Sequence, residues 1–157
     1  MPRMRILNTI EQEAFETPPL FNSTQRRQYF DVPLSIQRLA ASLRTPTNQL
    51  CFLLSCGYFQ ATKQFFPVRT FHPHDIEYVA ARVGLSPDAV AIDSYDKQTL
   101  ARHQQLILKF HAFRAFDQKA RAFLAAEIVA MVRSQLKPRL MFWRCVDLLG
   151  SVPKVLL

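Results

Sequence analysis

Glycine occurs only three times in this sequence, and its apolar residues rarely alternate with polar ones as a half-buried strand requires. Those two features leave a mostly helical fold, and the prolines and capping residues mark where its helices start and stop. The first helix is expected to open at Asn8, with Glu11 as its reciprocal capping partner, and to end before Pro18-Pro19. Ser23 or Thr24 opens a short second helix, "STQRRQYF", and a third, "LSIQRLAASLR", follows Pro33 and runs to Arg44. Thr45-Pro46 is a cap followed by proline at the first helical position, which starts a fourth, "PTNQLCFLLSCGYFQATKQ". The very short turn between the third and fourth makes them an αα-hairpin.

The proline-bearing stretch "FFPVRTFHPHD" (65–75) predicts a boundary between an N-terminal subdomain, 1–70, and a C-terminal subdomain, 71–157. Beyond it, "HDIEYVAARV" is closed by Gly84, and Ser86-Pro87 opens a short sixth helix. Asp96 precedes a seventh, "TLARHQQLILKFHAFRAF". An eighth, "DQKARAFLAAEIVAMVRSQL", begins near Asp117 and stops before Pro138, and "RLMFWRCVDLLG" is the ninth, with Gly150 as its stop. The expected fold is all-α, a bipartite bundle of about nine helices with helix-turn-helix-like elements.

The 157 residues suffice for one domain or two very small ones, and 49% apolar content is ample for a core. No stretch reaches the roughly 18–20 apolar residues of a membrane span, and the start does not resemble a signal peptide. Cys51, Cys56 and Cys145 include no CxxC pair and read as buried free thiols of a reducing cytoplasm. Nucleotide-loop, zinc-protease and nucleophile-elbow motifs are missing, and His72, His74 and Asp75 lack the further His or Cys that a metal site needs. No enzymatic site, metal or other cofactor is expected.

Net charge is +8, and its distribution is uneven. Residues 1–74 hold 8 Lys/Arg against 4 Asp/Glu, residues 75–96 hold 1 against 5, and residues 97–157 hold 11 against 3. Two basic regions flanking an acidic segment favour a nucleic-acid partner. "ARVGLSPDAV" (81–90) has the outline of a helix-turn-helix, but Asp88, Asp93 and Asp96 would repel phosphates and make it scaffold. The seventh helix is different. Gln98, Arg102, Gln105 and Lys109 fall on one face, where Arg and Gln suit base edges and Lys suits phosphate, while Leu100, Ile107 and Phe110 face the core. Arg44, Thr45, Thr47, Asn48 and Gln49 gather at the start of the fourth helix, where free N–H groups favour a phosphate. Arg3, Arg5, Arg26, Arg27 and Arg114 complete the candidate DNA contacts. The competing class is a helical module that dimerises or docks through exposed Phe and Leu, without reading DNA.

In order and spacing, "MPRMRIL", "NQLCFLLSCGYF", "DIEYVAARVGL" and "SYDKQTLARHQQLILKFHAFRAF" resemble the N-terminal domain of the Tn-three family of replicative transposases. That family's pattern opens with Met-Pro-Arg and continues with an Asn-Arg-Leu-Gly-Phe helix ending in Cys-Tyr. A Val-Ala-x-x-Leu-Gly helix follows, then Tyr and a Thr-Arg-x-x-His helix ending in Gly-Phe-Arg-x-Phe. This chain departs from it at Gln49, at Leu100 after Thr99, and at His111-Ala112 before Phe113-Arg114. The resemblance implies a bacterial, cytoplasmic, nucleoid-associated DNA-binding region that recognises the terminal inverted repeats of a transposon during DNA transposition. Its expected partners are double-stranded DNA, the remainder of a longer transposase and, as an alternative, a second copy, with no membrane. In the family, three metal-binding carboxylates of the C-terminal part perform strand transfer. Nothing here corresponds to them, so the chain is expected to be a fragment that binds DNA without cutting or joining it.

Overall fold

The computed structural model describes residues 5–114 and 116–151, so the candidate contact Arg3 lies outside the described residues. The described residues form eight α-helices and no strand: α1 (Thr9–Glu16), α2 (Ser23–Phe30), α3 (Leu34–Ala41), α4 (Pro46–Thr62), α5 (Pro73–Arg82), α6 (Lys97–Phe110), α7 (Gln118–Arg133) and α8 (Pro138–Ser151). Short 3-10 turns at Val68–Thr70, Pro87–Ala89 and Ile92–Ser94 join some of them. The fold is all-α. No helix among the described residues is long and apolar enough to cross a membrane.

Five of the helix starts follow from side chains that take up otherwise unpaired backbone N–H groups, whereas α3 and α5 begin without a side-chain cap. Asn8 accepts from the Glu11 amide at 2.8 Å while Glu11 accepts from the Asn8 amide at 3.0 Å, the reciprocal pair the sequence predicts. Asn22 and Gln25 repeat that arrangement at the head of α2, which opens at Ser23 as the sequence predicts. Thr45, Asp96 and Asp117 cap α4, α6 and α7 by accepting from the amides of Asn48, Thr99 and Ala120. Stops are less regular. Gly84 ends the α5 turn with φ 71°, as expected, but Lys63, Ala112 and Gln135 adopt the same left-handed conformation without being glycine. The Ala112 turn closes α6 after Phe110, shortening the expected seventh helix, and leaves Phe110 exposed instead of in the core.

Two compact units result: one of Ala14–Ile107, and one of the residues up to Glu13 with those from Leu108 onward. The expected boundary at residue 70 falls inside the larger unit, and the reason is packing. The stretch around Pro67 and Pro73 folds back onto α4 instead of leaving it. Phe66 and Phe71 place their rings 5.9 and 5.1 Å from that of Tyr58, and α5 packs against α4 and α2. In the larger unit α4 is buried on all sides from Leu50 to Phe59, and α2, α3 and α5 pack around it. Each large side chain so enclosed contributes about 1.5–3 kcal/mol of transfer free energy. In the smaller unit α7 and α8 pair around Ala120, Leu124 and Leu149, and Arg139 forms an ion pair with Glu11. Cys51 and Cys56 are buried free thiols, whereas Cys145 is only half-buried.

Candidate nucleic-acid interface

The turn between α3 and α4 is closed by its own side chains. Ser42 donates to the carbonyl of Leu39 at 2.6 Å, and the Gln49 amide group donates to that of Leu43 at 3.1 Å. Thr47, buried behind this turn, accepts the Ala91 N–H at 3.0 Å and so ties the Ile92–Ser94 turn to the start of α4. The chain then runs through Tyr95 and Asp96 into α6, whose first turns face the head of α4 across an open cleft of about 580 Å³. Arg44, Thr45 and Asn48 line it from the α4 side; Asp96, Arg102 and His103 line it from the α6 side. Thr99 also lines it and lies 3.4 Å from an Arg102 guanidinium nitrogen.

The cleft is weakly cationic. Arg44 has no hydrogen bond or ion pair among the described residues, and Arg102 has no ion pair among them. Among the described residues Asp96 is the one carboxylate in the lining. Its oxygen accepts the Thr99 N–H at 2.6 Å, and chiefly that bond holds its carboxyl below the usual carboxylate range. His103 is only 4% exposed. Its Nδ1 is hydrogen-bonded to the Tyr95 hydroxyl and its ring meets Phe52 edge-on, with centroids 5.3 Å apart. Burial first, and the nearby Arg102 charge second, lower its pKa, so the imidazole is neutral at pH 7. Tyr95 is pushed upward, mainly by burial, and keeps its proton.

The other candidates divide into several groups. Gln98 and Gln105 are exposed on α6, and Arg5 and Arg27 are exposed as well. Lys109 is exposed in the last turn of α6, within the smaller unit. Arg114, also in that unit, is paired with Asp117 three residues on. Three candidates turn out to be committed to the fold. Arg26 does not point to solvent; its Nε–H donates to the buried Asp75 at 2.8 Å and a second nitrogen donates to the Phe21 carbonyl. Thr47 and Gln49 are occupied by the two bonds described above. No spacing in the sequence connects Asp96, Thr99 and His103 with the α4 residues. Asp96 carried the only signal, as the cap that fixes where α6 begins.

The helix-turn-helix outline at 81–90 loses its second helix, because Pro87–Ala89 is a single 3-10 turn, too short to lie in a groove. His72 donates its Nε2–H to the carbonyl of Pro18 at 2.8 Å, and His74 is exposed near Glu77. Among the described residues no three His, Cys, Asp or Glu side chains gather as a metal site would require. No curated protein and no solved structure matches the chain. Residues 6–155, nearly its whole length, match the family model described as a domain of unknown function, DUF4158, and the chain belongs to that family.

Proposed function

We propose that this chain binds double-stranded DNA and recognises the terminal inverted repeats of a transposon, as the DNA-binding part of a replicative transposase. The observation that carries the reading is the cleft: Arg44 and Arg102, far apart in sequence, line one cavity together with Asn48 and Thr45. The net charge of +8 supports it, as do Gln98 and Gln105, exposed on the same helix as Arg102 and of a type that can pair with adenine in a major groove. The transposon-end specificity rests on the resemblance of the ordered segments from Asn48 to Phe116. In this reading the chain performs no chemistry of its own, needs no cofactor, works at the bacterial nucleoid and acts with the remainder of a transposase.

The test is fluorescence anisotropy of the purified chain on duplexes carrying the inverted repeats that flank its gene, against scrambled duplexes. A preference on the order of 10³-fold is expected of a specific reader. Equal affinity for both duplexes would leave a nonspecific DNA binder, and no binding would reject DNA altogether. A second reading, a protein-interaction module, is favoured by Val129, Val132 and Leu140 of the smaller unit, which are 50%, 60% and 52% exposed. It requires self-association or partner binding that is indifferent to salt.

A further inference from the structure

We infer that the cleft between the head of α4 and α6 grips the sugar-phosphate backbone and is blind to base sequence, an inference that rests on the DNA-binding reading above. The argument begins with shape. A side chain that reads a base edge must sit on an element that protrudes into a groove, because the edge lies at the groove floor. Arg44 and Arg102 instead line a concavity, and what duplex DNA offers to a concavity is its convex phosphate ridge.

The chemistry of the lining agrees with that shape. Two guanidinium groups supply charge-assisted donors suited to phosphate oxygens, and the Asn48 amide group adds a neutral donor. His103 stays neutral and is held by Tyr95, so it builds the wall without offering a further cation. Asp96 turns an oxygen toward the N–H of Thr99, where the positive end of α6 offsets its charge. Gln98 and Gln105 share α6 with Arg102 but do not line the cleft. Base reading thus falls to Gln98 and Gln105, and anchoring falls to the cleft.

The experiment compares Arg44→Ala, Arg102→Ala and the double variant with the unaltered chain by anisotropy, on inverted-repeat and scrambled duplexes over a series of salt concentrations. Both arginines are exposed, so the variants are expected to fold, which circular dichroism checks. Each single variant should weaken both duplexes by the same factor and make the log–log salt dependence shallower by about 1. A loss confined to the inverted repeat would make these residues base readers and overturn the inference. Variants that bind like the unaltered chain would overturn it too, while leaving the DNA-binding reading intact. If the unaltered chain binds neither duplex, that reading fails and the inference fails with it.

Discussion

Arg26 donates its Nε–H to Oδ1 of Asp75 at 2.8 Å, and the hydroxyl of Tyr58 donates to the other oxygen of the same carboxylate. Asp75 is 1% exposed and the Arg26 side chain 19%, so this pair joins α2, α4 and α5 from inside the larger unit. Removing one partner of such a pair strands a buried charge and costs about 3–5 kcal/mol, far more than an exposed charge contributes. Arg26→Ala is therefore expected to lower stability by about that amount in urea unfolding. Arg27→Ala, next to it and exposed, should change stability by less than about 0.5 kcal/mol. Equal effects of the two substitutions would show that Arg26 does not hold the unit together.

Gly57 lies in the middle of α4, directly against the ring of Phe30, and a Cβ built there would overlap that ring. Phe30 has little room to retreat, because the rings of Phe21, Tyr58 and Tyr78 surround it. Alanine would raise helix propensity by about 1 kcal/mol, but overpacking a closed core commonly costs about 1–3 kcal/mol and more when the neighbour is fixed. The net expectation for Gly57→Ala is destabilisation. Combined with Phe30→Leu, its cost should shrink, so the two changes together should cost less than their sum. Strict additivity in thermal or urea unfolding would refute the clash.

Stability should fall in alkali, in a definite window. Burial pushes Cys51 and Cys56 up from 9.0 to about 12, and burial together with the Asp75 bond pushes Tyr58 above its ordinary 10.0. These groups keep their protons in the folded chain, whereas the unfolded chain loses them from about pH 9 upward, so the unfolded state binds fewer protons there. The stabilisation is complete below pH 9.0 and is lost as pH rises toward 12. Each thiol should remove about 1.4 kcal/mol per pH unit within that window, with Tyr58 adding to the loss in its upper part. Urea unfolding at a series of alkaline pH values measures the slope. A Cys51→Ala, Cys56→Ala double variant should flatten it, and an unchanged slope would reject the assignment.

Helix starts were legible in the sequence because a cap is a local device. Asn8 with Glu11, Thr45 with Pro46, Asp96 and Asp117 each meet amides within three residues, and each capping pair can be seen in the string of letters. Helix ends were not, where Ala112 and Gln135 take left-handed conformations that nothing in their residue type requires. Long-range partners were equally hidden. Arg26 and Arg27 look alike as neighbours, and only the arrival of Asp75 from α5 separates their roles. The cleft was half visible: its two arginines and Asn48 stood out as basic and polar residues at a helix head and on a helix face. Those two places face each other beside the Thr47 to Ala91 bond, a long-range contact that no spacing rule predicts.

Asp96 offers a test in which binding should improve. Its carboxylate is exposed, lines the cleft and caps α6 through the Thr99 amide. Asn caps a helix about as well as Asp, so Asp96→Asn should leave α6 in place and keep the helical circular dichroism unchanged. The substitution removes the carboxylate that, among the described residues, lines the cleft together with Arg44 and Arg102. If phosphate enters the cleft, the variant should bind both inverted-repeat and scrambled duplexes more tightly by the same factor, and the gain should fade as salt rises. Affinity unchanged at low salt, with the fold intact, would mean that DNA does not approach this cleft.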